Sequence, residues 1–228
     1  MGESMESLSP WRSIWCNPRS TIRSIVDTNP NRSLWILAFI YGFTALLNGF
    51  QTFPIALRVG LIPMVGITII LAALWGYLFF AVWSWAVLVT GKLFGGKATF
   101  ATARAAYAWS CVPLLGNFCL WILLVVLFGS ILFFGPQPHL VLSKPAITFL
   151  FILLLGKIVF SIWSIVVYLQ ALAEVQSYSV LRAIGNVILA AIFLGILVAI
   201  PIYILVYLSG SGMPETAFLG SDLIQLIQ

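Results

Sequence analysis

One lysine stands where the chain is otherwise most apolar. Lys157 interrupts the run from Pro145 to Ala173, twelve residues from one end and sixteen from the other. A charge at mid-bilayer costs ~2.5–3.5 kcal/mol on insertion scales. From that depth, reaching the interface by extending the side chain is strained. Ser161, Ser164 and Tyr168 follow at +4, +7 and +11, so the four share one helical face. No Asp or Glu lies inside any apolar run. The partners open to Lys157 are carbonyls, hydroxyls, the amides of Asn48, Asn117 or Asn186, or a bound anion, unless the amine is neutral. Such a stripe is expected to face the bundle or a wet cavity. Two uses fit it: an anion or lipid-headgroup contact in a central crevice, or a structural lysine bonded to its neighbours.

A second group of polar residues falls at span boundaries. After one apolar run comes Gly91-Lys92-Leu93-Phe94-Gly95-Gly96-Lys97-Ala98-Thr99-Phe100. Its paired glycines permit a tight turn, and Thr99 or Ala98 is placed to start a short helix carrying Arg104. The full G-x-x-x-x-G-K-[ST] pattern of a phosphate loop is not met, because Ala98 follows Lys97 where Ser or Thr is needed. Glu174 is flanked by Gln170, Gln176, Ser177 and Tyr178. Arg182, Arg104 and Lys97 are its expected partners, and an exposed pair of that kind is worth at most about 1 kcal/mol. Gly95, Gly96, Lys97, Arg104, Glu174 and Arg182 together form a candidate cytoplasmic contact surface.

The residue types for other chemistries are missing. There is neither H-E-x-x-H nor G-x-S-x-G. The single histidine, His139, falls in a proline-rich loop. Cys16, Cys111 and Cys119 lack metal-ligand spacing. Catalytic residues, cofactors and metals are therefore all expected to be none.

The elements that must position these groups follow from composition. Of 228 residues, 62% are hydrophobic and 7% charged, against roughly 45–50% and 25% in soluble domains. That excludes a soluble enzyme, a disordered chain and a basic nucleic-acid binder. It points to an all-α polytopic membrane protein. A bilayer core of ~30 Å needs about 20 apolar residues, and five uncharged or nearly uncharged runs are long enough. The predicted spans lie near 34–50, 65–90, 113–134, 146–172 and 186–208. Residues 105–134 as one helix would reach ~45 Å, so Pro113 is read as a break. The stretch from Thr99 to Ser110 becomes a short interfacial helix. Pro201 is expected to kink the fifth span.

The basic residues set the orientation. Arg12, Arg19, Arg23, Arg32, Lys92, Lys97, Arg104 and Arg182 fall on one side of this layout, against Arg58 and Lys144 on the other. Short cytoplasmic loops carry the excess of Lys and Arg. The N-terminus is therefore predicted to be cytoplasmic and the C-terminus extracytoplasmic. The net charge of +5 favours anionic lipid headgroups as partners. No cleavable signal or myristoylation pattern is expected. Residues 1–33 form a cytoplasmic segment in which Asn17-Pro18 opens an amphipathic helix with Ile22, Ile25 and Val26 on one face and Arg19 and Arg23 on another. That helix either lies in the membrane interface or packs under the bundle. Residues 34–208 form the membrane domain, and 209–228 a short tail.

Three stretches resemble the Yip family of multi-pass membrane proteins, whose name comes from interaction with Rab-type GTPases. They are Asn17-Pro18-Arg19-Ser20-Thr21-Ile22; then Leu93-Phe94-Gly95-Gly96-Lys97-Ala98-Thr99-Phe100, leading through Ala108-Trp109 to Val112-Pro113; and Leu172-Ala173-Glu174-Val175-Gln176-Ser177-Tyr178-Ser179 with Ala183 after it. The last is similar to the signature ALxExxGxS…A. The resemblance spans roughly 15–208 and implies a non-enzymatic five-span protein. The Asp-Leu-Tyr-Gly-Pro motif of the trafficking members is absent, which weighs against GTPase binding. It favours a compact prokaryotic member in a plasma or inner membrane.

The expected function is an adaptor that acts through lipid and protein contacts, with a homo-oligomer or other membrane proteins as partners. Gly42, Gly49, Gly76, Gly156, Gly185 and Gly195 would allow close helix approach. The alternative is a small transporter or channel for an anion or a lipid headgroup, with Lys157 on its path.

Overall fold

The computed structural model describes residues 9–52, 60–129, 131–134 and 142–208. Arg58, His139 and the 209–228 tail lie outside the described residues. Within them the fold is all-α. In chain order the helices are α1 (Pro10–Ser13), α2 (Pro18–Thr28), α3 (Leu34–Thr52), α4 (Leu61–Gly91), α5 (Phe100–Ser110), α6 (Leu114–Phe128), α7 (Ile131–Phe134), α8 (Lys144–Gln176) and α9 (Val180–Leu208). A single 3₁₀ turn, Lys92–Phe94, follows α4.

Among the described residues, four helices are long and apolar enough to cross a membrane by themselves: α3, α4 with its 3₁₀ turn, α8 and α9. A further candidate crossing is a bent pair. α5 and α6 qualify only as a pair, bent by 48° at a short break. Pro113 sits in that break, where it cannot supply the hydrogen bond that would continue the helix. The span predicted at 113–134 is also shorter than expected. α6 stops at Phe128, because Gly129 takes φ 53°, a conformation open chiefly to glycine. The other spans run past their predicted ends: α4 begins at Leu61, α8 covers Lys144–Gln176 and α9 begins at Val180. Polar residues are tolerated there because the outer turns lie beyond the hydrocarbon. α9 continues through Pro201 as one helix.

Close approach of α3 and α4 sets the frame. Gly42 faces the Ala72 carbonyl and Gly76 faces the Ala38 carbonyl, and a Cβ on either glycine would fall inside that carbonyl. Ala38 and Gly42, like Ala72 and Gly76, are spaced by four, so small residues line both sides of the crossing. This is how helices bury backbone against backbone in lipid, where the hydrophobic effect between spans is missing.

α2 packs against α8 and α5. Pro18, Thr21, Ile22 and Ile25 are buried while Arg19, Arg23 and Asp27 are exposed. Pro18 starts the helix as read from the sequence, but the Asn17 side chain caps nothing; its carbonyl instead accepts the Thr21 N–H and hydroxyl. Ile14 joins the same core, beside Trp109. Trp11 packs on Trp109 with ring centroids 5.3 Å apart. The described part of the segment ahead of the first span, through α1 and α2, thus packs into the core.

α8 ends at Ser177, which adopts φ 59°. The Tyr178 N–H returns to the Ala173 carbonyl, the pattern of a left-handed helix stop. An L-residue pays about 1–2 kcal/mol there, and glycine loses some of that gain to chain entropy. Ser177→Gly is therefore expected to stabilise the protein by about 0.5–1 kcal/mol, read as a higher thermal midpoint in detergent. Ser177→Val should lower it.

Candidate functional site

The polar residues singled out from the sequence separate into two clusters along α8. Lys157 and Tyr168 are eleven residues apart, or about 16 Å along the axis.

The first cluster lies where α3, α6 and α8 meet. Lys157 is 8% exposed. Its Nζ donates to Asn48 Oδ1 at 3.2 Å and sits 3.6 Å from the centroid of the Trp121 ring. Asn48 itself is exposed, while Trp121 is fully buried and stacks on Phe133. Ser161 Oγ donates to the Lys157 carbonyl at 2.8 Å and accepts from Asn117 Nδ2 at 3.2 Å. Trp121 is the residue sequence reading missed. A tryptophan one turn from Asn117 in an uncharged span was the available signal, because a π face is one of the few ways to hold a cation without an acid. Asn117 Oδ1 and Trp121 Nε1 are buried without a hydrogen-bond partner.

Ser164 and Tyr168 continue the stripe but do different work. Ser164 Oγ donates to the Ser110 carbonyl at 2.8 Å, fixing the end of α5 where the span breaks. Tyr168 OH accepts from Trp83 Nε1 at 2.8 Å, and its ring meets Tyr107 edge-on at 4.9 Å. The stripe ties α8 to α4, α5 and α6, one bond per turn.

Asn186 belongs to the second cluster, at the far end of α8, and is not brought to Lys157. Its Nδ2 donates to the Val87 carbonyl at 3.1 Å and to Tyr178 OH at 2.8 Å. Its Oδ1 accepts from Thr90 Oγ1 at 2.6 Å. Burial pushes the Tyr178 phenol above its ordinary range, and the bond from Asn186 pulls the other way. Beside it, Gln176 is buried against the glycine loop. Gln176 Oε1 accepts from the Ala98 N–H at 3.1 Å, and its carbonyl accepts from the Lys97 N–H at 3.2 Å. The Gly96 N–H returns to the Gly91 carbonyl at 3.0 Å. A Cβ on Gly91 would come within 2.7 Å of Gln176 Nε2, and one on Gly96 would overlap Gln176 Oε1. Gly95 takes φ 74°. The two clusters therefore differ in kind: the first holds a cation, the second closes a loop.

Glu174 pairs with Arg23, not with Arg182, Arg104 or Lys97. Arg23 Nε lies 2.7 Å from Glu174 Oε1, and the Arg23 Nη2 atom also bridges to it. The partner comes from 151 residues earlier in the chain, because α2 folds back under α8. Arg23 remains 69% exposed, so solvent screens the pair. Glu174→Gln is expected to cost less than about 1 kcal/mol, checked by thermal unfolding at low and high salt. Arg104 instead donates to Tyr77 OH at 3.0 Å and Asn31 Oδ1 at 2.7 Å. It also faces the rings of Tyr77 and Phe100. Thr99 caps α5 through a reciprocal bond with Thr102. Arg182 is exposed, its backbone N–H donating to Ser179 Oγ at 3.4 Å.

Two of the clefts lined by described residues are apolar. One of about 890 Å³ lies between α4 and the outer half of α9, around Gly195 and Ala199. The other, about 340 Å³, lies between α3, α4 and α6, around Phe43 and Phe118. Neither is lined by Lys157.

Among known families, the model of the Yip1 domain matches residues 12–202. No curated protein and no solved structure matches the chain.

Proposed function

The chain belongs to the Yip1 domain family, and from that premise we propose that it is a non-enzymatic adaptor that organises membrane through contacts with lipid and with other membrane proteins. It is an integral, multi-pass helical protein in contact with the bilayer. The observation that carries the adaptor reading is how Lys157 is held. Its ammonium is bonded to Asn48 and covered by Trp121, and its neighbours Ser161 and Ser164 bond to other parts of the bundle. Polar groups used to tie helices together do not line a path. The contacts Arg23–Glu174, Arg104–Asn31 and Lys97–Gln176 gather the basic segments at one end of the bundle. By the positive-inside rule that end is cytoplasmic, with residues 1–33 on it, 34–208 as the membrane domain and 209–228 beyond the opposite end. We place the protein in a prokaryotic plasma or inner membrane, a reading supported by the lack of the Asp-Leu-Tyr-Gly-Pro motif among these residues.

One observation favours the transporter reading: Asn117 Oδ1 and Trp121 Nε1 are buried and unpaired beside Lys157. Reconstitution into liposomes decides between the two. The adaptor reading expects no flux across a panel of inorganic anions and headgroup analogues, with protein partners crosslinked in native membranes. Flux abolished by a folded Lys157→Met variant overturns it.

A further inference from the structure

At the basic end, the loop after α4 meets the turn before α9. The Phe94 ring packs on α9 so closely that a Cβ on Gly185 would lie 3.2 Å from it. The Lys97 N–H is bonded to the Gln176 carbonyl, and Ser179 receives the Arg182 N–H. These contacts bring Lys92, Leu93, Lys97, Leu181 and Arg182 to one corner. Leu93 is 76% exposed and Leu181 78%. The three cations are also exposed, and none of their side chains has a hydrogen bond or ion pair among the described residues. The acids described are Asp27, on α2, and Glu174, which is taken by Arg23. Among the described residues, the corner thus holds three uncompensated positive charges around two bare leucines.

We propose that this corner is an anionic phospholipid site, with Lys92, Lys97 and Arg182 on the headgroup phosphates and Leu93 and Leu181 inserted among the acyl chains below them. The inference deepens the adaptor reading and rests on it. Its depth fits: α4 has 31 residues, about 46 Å against a core of ~30 Å, so its end emerges at headgroup level. Leucine beside lysine or arginine is the chemistry of that level, apolar on one side and charged on the other. A water-facing site for an acidic protein would not need two leucines left bare in the same corner.

The test is lipid retention. The full chain is reconstituted in equal phosphatidylglycerol and phosphatidylcholine, extracted gently, and its bound lipid counted by native mass spectrometry. The wild type is expected to retain phosphatidylglycerol in several-fold excess. Each cation near an anionic surface contributes about a fivefold effect, so the Lys92→Gln, Lys97→Gln, Arg182→Gln triple variant should lose the excess and retain the two lipids about equally. Leu93→Ser with Leu181→Ser should weaken retention at unchanged charge. A control triple, Arg12→Gln, Arg19→Gln and Arg32→Gln, carries the same charge change on the N-terminal segment and should keep most of the excess. Equal loss in both triples, or none in the first, overturns the site. Displacement of the lipid by excess glycerol phosphate also overturns it, in favour of a soluble phosphate ligand. None of these results bears on the flux and crosslinking outcomes, so failure here is distinguishable from failure of the adaptor reading.

Discussion

Gly76→Val, and equally Gly42→Val, should leave the protein without a stable fold. Any side chain at these positions enters a carbonyl of the facing helix, and a backbone atom cannot rotate aside as a side chain tip does. Overpacking ordinarily costs about 1–3 kcal/mol. Here relief requires α3 and α4 to separate along their length, which uncovers Leu37, Ala38 and Ala72 together. We expect more than about 4 kcal/mol, read as loss of monodisperse protein in detergent. Gly49→Ala on the same helix meets open space and should fall within about 0.5 kcal/mol of the wild type. If the two variants behaved alike, the crossing would not be the frame of the bundle.

Trp121→Ala should be the second largest loss. Removing a fully buried tryptophan costs about 3–5 kcal/mol through lost burial and an unfilled cavity. It also takes the π face from the Lys157 ammonium, leaving a buried charge on Asn48 alone. A desolvated cation–π contact is worth about 2 kcal/mol, so the total should exceed that of an ordinary core tryptophan. Lys157→Met removes the charge and keeps much of the volume, and should be close to neutral. The double variant is the decisive measurement. Once Lys157 is methionine, Trp121→Ala should cost about 1–2 kcal/mol less than in the wild type, by chemical unfolding. Strict additivity would mean that the ring and the ammonium do not interact.

What could be read from residues alone was the part governed by lipid. Uncharged runs between basic residues locate spans, because the bilayer enforces length and excludes charge whatever the packing. Pro113 could be read as a break for the same local reason. Thr99 was legible as a helix start because its hydroxyl accepts from Thr102 close by in the chain. The unread part was governed by tertiary distance. Glu174 has several cations near it in sequence, and nothing local marks Arg23, which arrives only because Ile22 and Ile25 bury under the bundle. Asn186 and Lys157 looked like members of one polar site because sequence reports that both lie in or near spans, not at what depth. Span ends erred for a related reason: hydrophobicity marks the hydrocarbon, whereas α8 continues to Ser177, where the chain reverses by a left-handed residue.

Of the bent pair, α5 is buried among α2, α4 and α8, so the wall it offers to lipid is α6 alone. The fifteen residues of α6 amount to about 22 Å, and its outer face presents Ile122, Leu123, Val126 and Leu127. An apolar wall shorter than the hydrocarbon is met by local thinning of the bilayer, at fractions of a kcal/mol per Å. The long spans carry their excess length into the headgroups, so the thinning is confined to one flank. A sheet of lipid strained in that uneven way is relieved by bending, so that these proteins should collect where the membrane is already curved.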